Sequence, residues 1–222
     1  MKRWAMRSIA SLLLLALIPN AGARQGAGAI RFRFAFGALT GSGPNQKLTR
    51  ITQDTQLKTG DKIKLMVEME QAGFVYVIYR SPADEIELLF PSDLKQNTQT
   101  ARKYYIPDGT AWLELDKNLG NETFYVLGAV QRLGSLESLL RRYTSAPAAG
   151  KAAITKEILS EIRRLRTQNR NATAPAERPV MIGGNVRSLD KIPGRGLPEV
   201  STVAVEITAN NFYARTFTID HR

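Results

Sequence analysis

The chain has no cysteine. That excludes a disulfide framework, thiol nucleophiles and every cysteine-ligated metal site, so the hydrophobic core alone has to hold the fold. A lipid-modified cysteine is excluded with them. Histidine is almost missing as well, since His221 is the only one among 222 residues. A serine–histidine–aspartate triad would have to use it, on a terminal segment expected to fray, so His221 reads as an exposed end residue. A zinc site would need three carboxylates around it, and no ligand spacing offers them. Acids are outnumbered: 20 Asp and Glu face 31 Lys and Arg, a formal net charge of +11.

Long apolar runs are also missing. The longest, "IASLLLLALIP" from Ile9 to Pro19, is shorter than the about 20 residues that span a bilayer. It follows Lys2, Arg3 and Arg7 and precedes Ala21-Gly22-Ala23, the order of a cleavable secretory signal. Cleavage is expected after Ala23, with Ala27-Gly28-Ala29 as a second small-residue site. Residues 1–23 are then the signal peptide, and removing their three positive charges leaves a mature chain of +8. Residues 24–222 are enough for one domain with a full core. The expected location is periplasmic or secreted, with no transmembrane segment after cleavage. A basic exported chain favours anionic lipid headgroups, cell-wall polymers or acidic proteins, and the export signal argues against nucleic acid.

Period-two patterning fills the first two thirds of the sequence. Phe32, Phe34 and Phe36 alternate with Arg31, Arg33 and Ala35, and Ile63, Leu65, Val67 and Met69 oppose Lys62, Lys64, Glu68 and Glu70. "FVYVIY" from Phe74 is apolar on both faces, as in a central strand. In "EIELLF" Ile86, Leu88 and Phe90 are expected inward, Glu85 and Glu87 outward. "AWLELD" and "ETFYVLGAV" add strands, and Ser81-Pro82-Ala83-Asp84 and Pro107-Asp108-Gly109 are turns.

Helical period then takes over. "GSLESLLRRY" reads as a short helix capped by Ser135, and "APAAG" as a break. A longer helix over residues 151–170 follows, with Ile154, Ile158, Ile162 and Leu165 on one side. "NATAPAERP" reads as a linker, and Gly183 to Pro198 as a loop. "STVAVEIT" and "FYARTFTI" read as a closing hairpin turning at Asn210-Asn211. The fold expected is mainly β: an immunoglobulin-like antiparallel β-sandwich with a two-helix insertion before a C-terminal β-hairpin. Residues 24–145 form its first part, 146–199 the helical insertion and loop, and 200–222 the hairpin.

No reactive constellation accompanies this pattern. Asp84, Glu85 and Glu87 crowd one turn, where solvated charge is the ordinary reading and acid–base catalysis the sharper one. The glycine-rich "MIGGNVRSLDKIPGRG" lacks the Gly-Lys-Ser/Thr ending of a phosphate loop. No catalytic, cofactor-binding or metal residue is assigned, and the chain is read as a non-enzyme. The strongest surface feature is the basic helix, where Lys151, Lys156, Arg163, Arg164, Arg166 and Arg170 face only Glu157 and Glu161. Its apolar stripe should pack on the sheet and leave a basic face for a partner or for peripheral contact with anionic lipid. The candidate partner-binding residues are Arg141, Arg142, Lys156, Arg163, Arg164, Arg166, Arg170 and Trp112, the last expected to be partly exposed.

Gly60-Asp61, the strand "FVYVIY", "LLFP" at Leu88 to Pro91, Ile106-Pro107 and "ETFYVLGA" occur in an order that resembles the bacterial family called domain of unknown function 4384, over about residues 57–140. The family's turn often carries glycine where this chain has "SPAD". The resemblance implies a β-sandwich module of exported bacterial proteins and offers no catalytic residues to carry over. The expected function is therefore a non-catalytic envelope module that binds a protein or polymer. A polyanion or membrane-surface binder acting through the basic helix is the alternative, and a carboxylate-based envelope hydrolase a third reading.

Overall fold

Alternation of the kind seen at Phe32–Phe36 builds two sheets facing each other across one core. The computed structural model describes residues 28–41, 43, 46–96, 102–169, 176–179 and 198–222. The expected signal peptide, Arg170 and most of the glycine- and proline-rich loop lie outside them. In chain order the strands are β1 (Ala29–Thr40), β2 (Lys47–Arg50), β3 (Asp54–Leu57), β4 (Lys62–Met69), β5 (Phe74–Arg80) and β6 (Ile86–Phe90). Then come β7 (Lys103–Ile106), β8 (Leu113–Glu114) and β9 (Gly120–Ala129), followed by helices α1 (Gly134–Ser145) and α2 (Ala148–Gln168). Strands β10 (Ala176–Pro179), β11 (Val205–Asn210) and β12 (Phe212–His221) close the order.

The first sheet runs β10-β11-β1-β4-β7, with β2 beside β1 and β8 beside β4; the second runs β3-β12-β9-β5-β6. This is the expected β-sandwich, with the helices ahead of the last strands. One pairing departs from antiparallel, since β3 joins β12 in parallel. The chain crosses between sheets from β2 to β3, so no hairpin dictates the direction. Aromatic rings stitch the two sheets together: Phe36 lies 4.8 Å from Phe124 and 5.5 Å from Phe217 between ring centroids, and Phe32 lies 5.6 Å from Tyr213. Gly128 makes room for this packing, because a Cβ there would come within 2.9 Å of the Phe32 ring.

"FVYVIY" is apolar on both faces because both are covered. Val75 and Val77 enter the inter-sheet core, while Tyr76 and Ile78 face the helices. The stretch is scaffold, between β9 and β6. Strand β6 departs from simple alternation. Val77 pairs with Phe90 and Ile78 with Leu88, so Leu89 is an extra residue. Ile86 and Leu88 therefore face the helices and Phe90 the inter-sheet core, rather than all three sharing a face. Asp84 takes a left-handed φ of 64° in the preceding turn, filling with aspartate a conformation that glycine adopts more freely.

The C-terminal hairpin is corrected. Asn211 does adopt a left-handed φ of 61°, but β11 pairs with β1 and β10 in one sheet while β12 pairs with β9 and β3 in the other. The turn carries the chain from sheet to sheet. Two neighbouring segments also differ from expectation. "AERP" is an edge strand on β11 rather than a linker, and Val200–Val203 is a 3-10 turn that covers Ala35 and Met66 on the outer face of the first sheet.

The N-cap of helix α1 is Leu133 and not Ser135, which lies exposed inside the helix. A tyrosine from the sheet replaces the missing side-chain cap. The Leu133 N–H donates to the Tyr76 hydroxyl at 3.2 Å, and that hydroxyl donates to Glu137 at 2.7 Å. Arg132 completes the cluster at 2.8 Å from Glu137, which is only 2 % exposed. Burial by itself raises the Glu137 carboxyl, but the hydrogen bonds from Arg132 and Tyr76 and the charges of Arg132 and Arg141 hold it below the ordinary carboxylate range. Helix α2 starts at Ala148 after Pro147, so "APAAG" is not a full break. Its Ile154, Ile158, Ile162 and Leu165 pack on the second sheet as the period predicts.

Candidate functional site

The stripe that seats α2 also aims two of its arginines. Arg163 follows buried Ile162, and Arg166 follows buried Leu165, so both emerge where the helix meets the sheet. There they line an open groove of about 610 Å³ between α2 and β12. Strand β5 contributes Arg80 at its last residue, and β12 contributes Arg215. Arg215 shares the inward parity of Tyr213 and Phe217, but near the open edge of the sandwich its guanidinium stacks 5.0 Å over the Phe217 ring and turns outward.

The charges in this groove do not balance. Arg80 holds Asp84 through Nε at 2.8 Å, and Arg215 pairs with Glu177 of β10. The Arg166 guanidinium reaches the Thr216 hydroxyl at 3.5 Å. Among the described residues neither Arg163 nor Arg166 has an acidic partner. Two unneutralised guanidinium forks, with the apolar walls of Leu159 and Ala214 between them, suit a carboxylate, sulfate or phosphate group carried on a larger molecule.

Not every predicted basic residue joins them. Arg164 points along the outside of the helix, bound to Glu161 at 2.6 Å and to Gln168. Arg142 pairs with Glu157 at 2.5 Å and Arg141 approaches Glu137 at 3.5 Å, so these two tie helix to helix and support the Glu137 cluster. Lys156 is exposed and lies apart from the groove. Trp112 is half-buried on the outer face of the other sheet, its ring 5.9 Å from the Lys64 ammonium. Lys64 was expected on a solvated face but is 4 % exposed. Its ammonium caps the carbonyls of Gly109 and Ala111 at 2.6 and 2.7 Å, and burial lowers its pKa despite the pull of Glu199 and Asp108.

Residues 56–130 match the family model described as Domain of unknown function (DUF4384). The match runs from within β3 to just past β9, about a third of the chain. Comparison with the curated proteins and with the solved structures finds no match. The DUF4384 segment thus supplies Arg80 to the groove, whereas Arg163, Arg166 and Arg215 come from outside it. Its Phe90-Pro91 and Ile106-Pro107 bonds, two of the features that carry the resemblance, are both cis.

His221 also departs from expectation, being 2 % exposed. It continues the inward row Tyr213, Phe217, Ile219, a parity that reading β12 only as far as Ile219 missed. The Thr59 hydroxyl donates to the Asp116 carbonyl at 2.9 Å, so it accepts the His221 Nε2 proton at 3.1 Å. This network fixes Nε2 as a protonated nitrogen. Nδ1 has no hydrogen-bond partner and lies 3.6 Å from Glu122 Oε1, while Glu122 Oε2 accepts the Tyr79 hydroxyl. Of the three crowded acids, Asp84 is tied to Arg80, and Glu85 and Glu87 stand exposed on the far side of that turn. Carboxylate catalysis needs an apolar enclosure around one acid, and neither Glu85 nor Glu87 has one. Among the described residues no cluster of histidine and carboxylates could hold a metal ion.

Proposed function

We propose that this chain is a non-catalytic binding module of the bacterial cell envelope that recognises an anionic group on a protein or envelope polymer. The observation that carries the reading is the convergence of Arg80, Arg163, Arg166 and Arg215 on one groove, with only Asp84 and Glu177 as counter-ions among the described residues. The N-terminal signal pattern supports export and cleavage after Ala23, in the periplasm or beyond. The β-sandwich serves as scaffold, and α2 supplies the recognition face. No helix among the described residues is long and apolar enough to cross a membrane.

The test is capture of partners from native envelope extract with mature residues 24–222, at low and high salt, beside the double variant Arg163→Gln/Arg166→Gln. Salt screens exposed charge pairs, so capture should fall steeply between the two conditions, and the variant should lose it by at least about tenfold. A partner retained at high salt and by the variant would place binding elsewhere on the sandwich and end the groove reading.

A further inference from the structure

A second concavity has the opposite sign. A cleft of about 850 Å³ opens between the β5–β6 turn and the segment 113–119. Its floor is the edge of the inter-sheet core, where Tyr79 and Leu89 are half-buried beside the buried Phe124. Its rim carries Glu85, Glu87, Glu114 and Asp116, against Lys117 as the one basic lining residue. Glu114 is matched by Lys62 at 3.4 Å, and Asp116 accepts the Asn118 N–H at 2.7 Å. Among the described residues the Glu85 and Glu87 carboxylates meet no base.

The floor holds a buried acceptor besides. Glu122 lines the cleft while only 5 % exposed, and among the described residues its Oε1 accepts no hydrogen bond. Behind it the fully buried His221 turns Nδ1 toward that same oxygen at 3.6 Å. At that distance no hydrogen bond forms, so the carboxylate keeps capacity for one more donor, and the cleft is the side from which a donor can come. Leu119, at the lip, is 58 % exposed and the one large hydrophobic residue so exposed among those described.

We propose that this cleft takes a lysine or arginine side chain from a basic segment of a partner protein. Both residues join an apolar stem to a cationic head, which matches an apolar floor ringed by acids. The stem would lie along Tyr79 and Leu89, and the head would reach Glu85, Glu87 and Glu122. A bare metal ion would leave the apolar floor unused, and the acids do not gather in a metal-binding cluster. The site is independent of the arginine groove and selects the opposite charge.

The experiment is fluorescence anisotropy on the mature chain with a labelled peptide of alternating lysine and leucine, beside a counterpart with glutamate in place of lysine. The wild type should bind the lysine peptide, and any binding of the glutamate peptide should be lost in Arg163→Gln/Arg166→Gln and kept in Glu85→Gln/Glu87→Gln. Glu85→Gln/Glu87→Gln should weaken binding at least tenfold, and Arg163→Gln/Arg166→Gln should leave it unchanged. Glu122→Gln should weaken it too; if that variant does not fold, the double variant at the two exposed positions decides alone. Equal affinity in the wild type and in Glu85→Gln/Glu87→Gln, or no binding by the wild type, would overturn the proposal. So would self-association of the wild type that the same double variant abolishes, because the occupant would then be a second copy of the chain.

Discussion

The outer faces of the two sheets are covered in different ways. The second sheet lies under two helices, which bring Leu136, Leu140, Ile158 and Ile162 onto Tyr76 and Ile78. Among the described residues the first sheet has over its centre the short turn at Val200–Val203, resting on Ala35 and Met66 with Trp112 beside it. Each cover also buries one charge. On the helical side the acid is Glu137, held by Tyr76 and Arg132; on the other the base is Lys64, which caps two carbonyls between Tyr105 and Trp112. A helix standing on a sheet leaves a groove along its flank, whereas a turn lying flat on a sheet leaves none. That geometry explains why the arginine groove is found beside α2.

The sharpest way to break the helical cover is Glu137→Ala. It strands Arg132 and the Tyr76 hydroxyl, and losing one partner of a buried charged cluster costs about 3–5 kcal/mol, to be read by urea denaturation. The same cluster gives a pH signature. The folded carboxyl lies below its unfolded value, so its stabilisation is complete above the ordinary carboxylate range and is lost as pH falls through the folded pKa. Thermal melts from pH 7 down to pH 2 should therefore be less acid-sensitive in Glu137→Gln than in the wild type. If the two profiles stay parallel, Glu137 does not anchor the layer electrostatically.

Next in size is Ile158→Ala. Ile158 is fully buried beneath α2, and the substitution should cost about 2–5 kcal/mol. On the opposite face Lys64→Met keeps the apolar stem but leaves the Gly109 and Ala111 carbonyls uncapped, a loss of about 1–3 kcal/mol. A larger loss from Lys64→Met than from Glu137→Ala would reverse the ranking of the two covers. The smallest effect belongs to Arg163→Gln/Arg166→Gln. Both side chains are exposed and lack acidic partners among the described residues, so stability should move by less than about 0.5 kcal/mol while anion capture is lost.

Much of this architecture is legible in the sequence because period two and period 3.6 depend on local spacing. Phe32–Phe36, Ile63–Met69 and the Ile154–Leu165 stripe all behave as their periods demand. What escapes local reading is pairing at a distance. Asn211 announces a turn correctly, but nothing near it says that β11 and β12 will belong to different sheets. Alternation cannot show the extra residue at Leu89, which moves Phe90 to the other face. Lys64 has the spacing of an exposed residue, but the segment after β7 folds over it and takes its ammonium on the Gly109 and Ala111 carbonyls. The site divides in the same way. Arg163 and Arg166 stand out in the helix, whereas Arg80 and Arg215 look like ordinary strand residues until the fold brings them to the groove. His221 could have been found from the sequence by extending the parity of Phe217 and Ile219 two residues further.

Strand β12 also bears on the order in which the molecule can assemble. It lies between β9 and β3, and its register with β9 extends to the pairing of His221 with Gly120. As the chain is made from its N-terminus, β5, β6, β9 and both helices are all available before β12 exists. They can form a partial layer, but the β9 edge on which β12 belongs stays open, and β3 has no neighbour. Synthesis at roughly 5–20 residues per second therefore leaves an interval in which an unpaired strand edge and the phenylalanine rings of β1 are exposed. A holding chaperone would have its substrate in that interval, and the arrival of β12 is what ends it.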